Sequence, residues 1–231
     1  MVYLLIALKN NSMLIQSIVE LDRELLLFLN SIHNNFFDAF MWMISSKEIW
    51  GPLYLVIIYY FFKNTDKKKA FYILAACVLC IVLCDQISSS IFKPLFERWR
   101  PSRDPLIGDL VHIVNGKRGG KYGFVSSHAA NVFGLAVFSS LLFKNRLYSI
   151  VILSWAALVS YSRVYLGVHF PGDILCGGLL GSGLGYGVYR LLGKYVDLKE
   201  AIKSSLPSFM IVMAVTIFCL LAVSRYMHFA N

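Results

Sequence analysis

Apolar stretches separated by short polar ones dominate the pattern along this chain. Five of them approach the length of a membrane span, at residues 70–91, 128–143, 147–162, 171–190 and 206–225. The hydrocarbon core of a bilayer takes roughly 20 helical residues, with a range of about 17–25. The stretches at 128–143 and 147–162 are short on this scale, so we expect their ends to extend into the polar flanks. The pattern predicts a bundle of membrane-spanning helices.

A further apolar stretch, residues 36–62, is interrupted by Lys47 and Glu48. Gly51 and Pro52 follow, and proline is favoured in the first turn of a helix, so the helix can restart there. We interpret this stretch as one broken span. It brings the prediction to an all-α fold with about six transmembrane helices.

Residues 12–33 are not continuously apolar, and their apolar positions recur with the period of an α-helix. Their apolar positions fall on one helical face, while the charged ones lie mostly off it; the apolar set is Leu14, Ile18, Leu21, Leu25, Phe28 and Ile32. This pattern is typical of an amphipathic helix in the membrane interface. We therefore divide the chain into an N-terminal amphipathic segment, residues 1–35, and one membrane-embedded domain, residues 36–231.

Composition supports this class of protein. The chain is 58% hydrophobic and 15% charged, with a mean hydropathy of +0.64, whereas soluble domains average about 45–50% apolar and about 25% charged residues. The net charge of +9 suits cytoplasmic loops and anionic headgroups. Because no nucleic-acid-binding module is present, we expect the bilayer as a partner and no nucleic acid; oligomeric state stays open.

Two polar segments, residues 93–127 and 162–173, are separated by two predicted spans. They must therefore lie on the same face of the membrane. Loops on the opposite face are short and hold ten of the 22 Lys and Arg residues, as cytoplasmic loops do. If some of the other twelve bind a ligand, the polar segments lie outside the cytoplasm.

The segment SRVYLGVHFPGD, residues 162–173, contains Arg163, His169 and Asp173. A carboxylate four residues after a histidine can reach its ring, fix the tautomer and raise its basicity. Such a histidine can act as a nucleophile or a base. Arg163 offers a planar fork of donors that suits phosphate.

The segment VSSHAAN contains Ser126, Ser127 and His128 at the start of a span. Serine is a common helix N-cap, and the amides of a helix N-terminus attract anions. His128 there could give a proton to a leaving group. In KPLFERWRP, Lys93 and Arg100 are seven residues apart, and in a helix both would project from one face.

Each of these residues alone is more often structural: a cap, a solvated cation or a paired histidine. Together they offer three cations, hydroxyls, helix-start amides and two histidines, which suits a tetrahedral oxyanion whose charge grows during transfer. No cluster of Asp or Glu suited to Mg²⁺ and no HExxH motif is present, so we expect neither a metal nor a cofactor.

The three segments resemble the motifs of the type 2 phosphatidic acid phosphatase family, within the acid phosphatase–vanadium haloperoxidase superfamily. The first motif, KxxxxxxRP, is complete at Lys93 and Arg100-Pro101, and the third, SRxxxxxHxxxD, is complete at residues 162–173. The second departs from PSGH: Ser126 and His128 are kept, but Ser127 replaces glycine. The added side chain would narrow the pocket or add a donor.

The resemblance implies a metal-independent phosphatase with a phosphohistidine intermediate. His169 would be the nucleophile, Asp173 would orient it, and His128 would be the general acid and then the base. The phosphoryl oxygens would be held by Lys93, Arg100, Ser126, Ser127 and Arg163.

The substrates implied are lipid phosphate mono- or diphosphate esters: phosphatidic acid, phosphatidylglycerol phosphate, undecaprenyl diphosphate or lipid A. The expected location is the outer face of a bacterial inner membrane. Alternatives are a lipid phosphotransferase, a vanadium haloperoxidase, although the haloperoxidases with these motifs are soluble, and a non-catalytic lipid or anion binder or transporter. The basic, glycine-rich loop 114–124 is either a lid over an anionic headgroup or a solvated loop.

Overall fold

The computed structural model describes residues 2–198, 206–227 and 229, with side chains for residues 13–198, 207–227 and 229. The nine α-helices of this described part are α1 (Val2–Ser31), α2 (Asn35–Ile44), α3 (Gly51–Lys63), α4 (Lys67–Gln86), α5 (Lys93–Phe96), α6 (Ser127–Phe143), α7 (Arg146–Tyr165), α8 (Pro171–Leu192) and α9 (Leu206–Ser224). The described residues contain no β-strand, only an isolated bridge between Trp99 and Tyr122.

Three of these helices are long and apolar enough to cross a membrane, and all three coincide with predicted spans: Lys67–Phe96, Arg146–Tyr165 and Pro207–Ser224. The first is a 30-residue helix because a π-helical stretch, Ile87–Phe92, joins α4 to α5 without a break. The predicted all-α membrane bundle is therefore confirmed, while the count of six spans stays a prediction. The broken span is also seen, with α2 and α3 separated at residues 45–50.

Helix starts are fixed locally by side-chain caps. Asn34, Asp66, Ser126 and Asn145 each accept a hydrogen bond from the third backbone N–H of the helix that follows. Such caps contribute about 0.5–2 kcal/mol each. Ser126 is thereby held at the first turn of α6, which places the serines and His128 of the second motif at the end of a span.

The centre of the bundle is the contact between α6 and α8. Three glycines spaced by four residues, Gly177, Gly181 and Gly185, line the α8 side of this contact. A Cβ atom at Gly181 would overlap the carbonyl group of Ala130, so the two backbones are as close as glycine allows. Small residues permit such close helix packing in membranes. This contact brings the N-termini of α6 and α8 side by side, where the Ser126 amide donates a hydrogen bond to the Asp173 carbonyl at 3.0 Å.

The N-terminal helix is longer than predicted, and its charged face packs against the bundle. Its apolar stripe lies on the outside of the molecule; the exposed side chains are those of Leu14, Ile18, Leu21, Leu25, Phe28 and Ile32. The opposite face contacts α7 and α8, and its charged residues are paired: Asp22 with Arg98 and Arg23 with Asp104. These charges therefore stabilise contacts with the bundle. The domain boundary at residue 35 stays a prediction.

The short basic connections and the two polar segments lie at opposite ends of the bundle, as the parity of the predicted spans requires. At one end, Lys69 and Lys144 donate to the carbonyl groups of Asp197 and Leu198, which joins three connecting loops. At the other end, residues of the 93–127 insertion contact the 166–170 loop, with Arg100 Nη1 lying 3.0 Å from His169 Nε2. The polar segments thus share one face.

Candidate active site

His169 and Asp173 meet where α7 ends and α8 begins. Gly167, at φ +65°, reverses the chain after α7, and a Cβ there would overlap Val111. Pro171 then starts α8, so that His169 lies in the short connection and Asp173 in the first turn. Asp173 Oδ2 is 3.3 Å from His169 Nδ1 and also accepts from the Phe170 amide at 3.0 Å. Both side chains are almost completely buried.

The contacts of His169 assign its tautomer. A guanidinium group can only donate hydrogen bonds, and Arg100 Nη1 lies 3.0 Å from Nε2. Nε2 therefore accepts, and the proton of the neutral ring is on Nδ1, where it faces Asp173. The lone pair of Nε2 points toward the cations of the pocket. This is the atom with which the ring could attack an anionic centre.

Burial and neighbouring charge keep this ring neutral. The pKa of His169 is lowered well below its ordinary value, first by burial and then by the charges of Arg100, Arg163 and Lys93. A protonated imidazole among three cations would be unfavourable. The same three cations that repel a proton would attract a phosphoryl group.

Lys93 and Arg100 converge, but they do not share one helical face, so that prediction is wrong. The helix ends at Phe96, because Glu97 has a left-handed conformation with φ +45° and Arg100 is extended. Arg100 is then fixed by the loop, donating its amide to the Lys121 carbonyl at 3.2 Å. Chain reversal, rather than helical spacing, directs Lys93 and Arg100 into the same pocket.

Two guanidinium groups retain unused donors. The Nε atoms of Arg100 and Arg163 are buried and have no hydrogen-bond partner among the described residues. Arg163 Nη1 donates to Ser45 Oγ, and Arg100 Nη1 to the Val168 carbonyl. Six buried side-chain nitrogen or oxygen atoms of the described residues have no hydrogen-bond partner, and these two are the ones that belong to cations. This arrangement can receive an anion with several oxygens.

The three residues of the second motif, Ser126, Ser127 and His128, have different surroundings. Ser126 is fully buried and caps α6, while Ser127 Oγ lies 2.7 Å from Lys93 Nζ and 2.8 Å from Ser88 Oγ. The side chain that replaces the family's glycine therefore holds Lys93. The His128 ring makes no hydrogen bond within the described part of the chain, and it borders a cavity on the other side of α6.

That cavity has a volume of about 500 Å³ and lies between α3, α4, α6 and α7. Its walls are mostly apolar, with Ile57, Val78 and Leu135 among the lining residues. Ser45 and His128 also line it, and Ser45 Oγ accepts a hydrogen bond from Arg163. Thus a space suited to a hydrocarbon chain begins beside a cationic pocket.

Sequence reasoning missed the partners of the predicted residues. Arg98 donates to Asp173 Oδ1 at 3.0 Å and to Asp22 Oδ2 at 2.7 Å. Asp22 was assigned only to the polar side of an amphipathic helix, and Arg98 to a variable position of the first motif. In the sequence, the only indication of this contact is that the Asp22 carboxylate lies next to the apolar stripe of the N-terminal helix.

His33, Asp38 and His112 form a second cluster of polar side chains on this end of the bundle. Asp38 accepts hydrogen bonds from Tyr165 at 2.7 Å and from His112 at 2.9 Å. The two imidazole rings are stacked, 3.6 Å apart and inclined by 3°. Lone pairs in parallel planes do not converge on one point, so the arrangement joins α2 to the 104–116 loop and does not form a ready metal site.

The basic loop is held against the protein. Lys117 lies 4.6 Å from the centre of the Trp42 ring, and Arg118 Nη1 donates to the Ser102 carbonyl at 3.0 Å. A Cβ at Gly119, which has φ +67°, would lie 3.2 Å from Arg100 Nε. The loop therefore supports Arg100, and its role as a lid stays a hypothesis.

Comparisons with known proteins agree with the motifs. The profile of the PAP2 superfamily matches residues 70–197. A lipid A 4'-phosphatase of Bacteroides thetaiotaomicron is 45% identical over 182 residues, which cover 78% of this chain and 81% of that protein. A lipid A 4'-phosphatase of Porphyromonas gingivalis is 42% identical over 174 residues, 75% of this chain and 74% of that protein.

The fold also matches a solved structure. The transmembrane PAP2-type phosphatidylglycerolphosphate phosphatase of Bacillus subtilis superposes with a TM-score of 0.58 at 24% identity, covering 78% of this chain and 89% of that one. At this identity the similarity concerns the fold. Together with the motif spacing and the two relatives, it confirms the resemblance found in the sequence: the chain belongs to the PAP2 superfamily.

Proposed function

We propose that this membrane phosphatase hydrolyses a lipid phosphate monoester through a phosphohistidine on His169, and that the 4'-phosphate of lipid A is its first candidate substrate. The observation that carries the proposal is the contact between the cationic pocket and an apolar cavity, because Ser45 lines the cavity and accepts a hydrogen bond from Arg163. A phosphate in the pocket would have its lipid chain beside it. Relatives at 45% and 42% identity are lipid A 4'-phosphatases, which supports the choice of lipid.

Substrate binding would use the unpartnered donors. The phosphoryl oxygens accept hydrogen bonds from Arg163 Nε and Arg100 Nε, and Lys93 neutralises a further charge. Hydrogen bonds to charged groups contribute roughly 1.5–3 kcal/mol each. Arg100 Nη1 leaves His169 Nε2 for the phosphate, which uncovers the lone pair of the nucleophile. Binding and activation are thereby one event.

In the first chemical step, His169 Nε2 forms a bond to phosphorus while the bond from phosphorus to the lipid oxygen breaks. His128, at the cavity end of the pocket, gives its proton to the departing lipid alcohol. The ring of His169 becomes positively charged, and the Asp173 carboxylate stabilises that charge through Nδ1–H. The Ser126 hydroxyl and the cations stabilise the equatorial oxygens.

In the second step, His128 accepts a proton from water, and the water oxygen bonds to phosphorus as the phosphorus–nitrogen bond breaks. Inorganic phosphate leaves and His169 returns to its neutral form. These steps use only side chains of the chain itself, so we expect turnover to continue in the presence of EDTA.

We propose a location in a bacterial inner membrane, with the pocket outside the cytoplasm. The distribution of Lys and Arg supports this orientation, since the loops at the opposite end are short and basic. A single added cysteine at Lys117 should react in intact cells with a membrane-impermeant maleimide, while one at Lys67 should react only after lysis. The reverse labelling would overturn the orientation.

The substrate is tested on the purified protein in detergent with EDTA present. We would measure phosphate release from lipid A, phosphatidylglycerol phosphate, phosphatidic acid and undecaprenyl diphosphate. We expect the fastest release from lipid A and none with His169→Ala. Release by His169→Ala at the normal rate would reject the nucleophile, and release from another lipid alone would reject lipid A.

A further inference from the structure

We propose that Asp22 of the N-terminal helix and Arg98 are positioning residues for the His169–Asp173 pair, so that α1 contributes to catalysis. The proposal rests on the proposed role of His169 as the nucleophile. None of the three motifs contains Asp22, and Arg98 occupies a variable position between Lys93 and Arg100.

A continuous chain of charge-assisted hydrogen bonds connects α1 to the nucleophile. Asp22 Oδ2 lies 2.7 Å from Arg98 Nη2, and Arg98 Nη1 lies 3.0 Å from Asp173 Oδ1. The other oxygen of Asp173 faces His169 Nδ1 at 3.3 Å. Each guanidinium edge therefore holds one carboxylate, and Asp173 has one oxygen for Arg98 and one for the histidine.

Asp22 also fixes the backbone that carries Asp173. Its Oδ1 accepts from the Gly172 amide at 2.8 Å, so an α1 side chain caps the first turn of α8. A Cβ at Gly172 would lie only 2.6 Å from Asp22 Oδ2, and glycine makes this approach possible. A carboxylate at a helix N-terminus is also favoured by the helix dipole. Asp22 thus fixes Asp173 in two ways: it holds the Asp173 side chain through Arg98, and it holds the neighbouring backbone at Gly172.

Arg98 has the geometry of a rigid bridge. Its guanidinium carbon lies 4.2 Å from the centre of the Phe170 ring, and this cation–π contact restricts the movement of the side chain. Asp173 is completely buried, and an ionised carboxylate there needs a cation to offset its loss of hydration. Arg98 supplies the charge on the side away from the phosphate pocket, so Asp173 can serve His169 without drawing Arg100 out of that pocket.

A neighbouring ion pair provides a matched control. Arg23, the next residue of α1, pairs with Asp104 at 3.0 Å, and its side chain is 25% exposed, compared with 23% for Arg98. This pair also joins α1 to the 93–127 insertion, but it contacts neither His169 nor Asp173. Loss of general α1 docking should therefore affect both pairs alike, whereas loss of positioning should affect only Asp22 and Arg98.

The first experiment compares Asp22→Asn and Arg98→Met with the control Asp104→Asn. Methionine keeps the contact with Phe170 but carries no charge. We expect kcat on the substrate found above to fall roughly 10- to 100-fold in the two positioning variants, the size of loss seen for carboxylate partners that orient metal-bound histidines, with KM changed less than about threefold. Asp104→Asn should keep kcat within about twofold. A fall of equal size in all three variants would overturn the proposal.

A pH profile separates positioning from packing. The titratable and charged groups that face Asp173 come from α1, α5, α8 and the connecting loops: Asp22, Lys93, Arg98, Arg100, His169 and Cys176. When Arg98 is lost, the Asp173 carboxylate takes up a proton more readily, so the acid limb of kcat should move to higher pH in Arg98→Met. Arg98→Lys keeps the charge and should leave the limb in place while kcat falls. An unmoved limb in Arg98→Met contradicts the inference.

A measurement without substrate keeps this test apart from the proposed function. In protein labelled with ¹⁵N-histidine, the His169 Nδ1–H signal, assigned by its loss in His169→Ala, reports the hydrogen bond to Asp173. It should shift or broaden in Asp22→Asn and Arg98→Met and stay unchanged in Asp104→Asn. An unchanged signal in all variants would overturn the positioning role. If the wild-type protein hydrolysed none of the lipids, the proposed function would be rejected. The His169 Nδ1–H signals of the variants would still show whether Asp22 and Arg98 position His169.

Discussion

Single nitrogen atoms decide what the pocket can bind. Arg163 is buried and Arg100 is half-buried, yet each leaves a buried Nε donor unused, while Nη1 of each is held by protein oxygens or by His169. Arg163 Nη1 is held by Ser45, so this guanidinium group is oriented before any ligand binds, which reduces the entropy lost on binding. Arg100 Nη1 is held by the Val168 carbonyl and by His169, and the proposed binding of phosphate releases it from His169.

At Arg163 this orientation gives a test. We expect Arg163→Lys to lower kcat/KM roughly 10- to 150-fold, the equivalent of one charge-assisted hydrogen bond, because an ammonium group keeps the charge but loses the planar fork. Arg103, which is exposed and donates to the Gly119 carbonyl, is the control, and Arg103→Lys should be neutral. Equal activity of wild type and Arg163→Lys would remove Arg163 from the phosphate site.

The neutral state of His169 predicts a dependence of stability on pH. The pKa of His169 is far below its ordinary value in the folded protein because of burial and three cations, but it is about 6.5 in the unfolded chain. Below pH 6.5 the unfolded state takes up a proton that the folded state does not, so stability is lost as pH falls and is complete above that value. At pH 5.5 this costs about 1.4 kcal/mol.

The measurement is the unfolding temperature in detergent between pH 7.5 and pH 5. The wild-type temperature should fall more steeply with acidification than that of His169→Asn, which has no ring to protonate. Parallel curves for the two proteins would show that His169 does not titrate differently in the folded and unfolded states.

At the scale of helices, the α6–α8 contact holds the second and third motifs in register. The glycine face of α8 lets α6 approach until the Ser126 amide reaches the Asp173 carbonyl. The opposite side of the same helix carries Gly183 and Gly187, where an added Cβ would meet nothing within 4 Å. One helix therefore contains both packed and free glycines.

This difference predicts opposite effects for the same substitution. Gly181→Ala should destabilise the protein by about 1–3 kcal/mol, since the new methyl group overlaps the Ala130 carbonyl and the helices must separate. Gly183→Ala should be neutral or slightly stabilising, because alanine favours the helix. Thermal unfolding and phosphate release in detergent check both variants. Destabilisation by Gly183→Ala of the same size would refute the packing explanation.

For the whole molecule, the main feature is the connection of a charged pocket to an apolar cavity. Water-soluble phosphates need only the pocket, whereas a membrane lipid needs both. Val132→Phe should fill part of the cavity and lower kcat/KM for a long-chain lipid phosphate by about tenfold or more, since each buried CH₂ contributes about 0.8 kcal/mol. Hydrolysis of p-nitrophenyl phosphate should change less than about twofold.

Leu179, on the outer face of α8 and 66% exposed, provides the control for added bulk. Leu179→Phe should leave both activities unchanged. If Val132→Phe reduced hydrolysis of the soluble substrate as strongly as that of the lipid, the residues around the cavity would maintain the geometry of the cationic pocket, and the cavity would not bind the lipid chain.

By itself, the sequence determined the helical class, three membrane spans and the identity of the motif residues. Apolar runs near the thickness of a bilayer can only be satisfied as helices in lipid. The His169–Asp173 contact was predictable because it depends on a spacing of four along one segment. Parity of the spans placed the motifs on one face. Each of these inferences uses local periodicity or counting.

Only the tertiary structure decided which atoms meet. Lys93 and Arg100 converge through a left-handed residue at Glu97 and a loop, and spacing along the chain could not show this. The cavity is formed by four helices and has no signature in any one of them. The charged face of α1 is joined to Asp173 through Arg98, across 75 and 76 residues of sequence. Contacts between distant segments depend on how helices pack, which a linear pattern of polar and apolar residues does not encode.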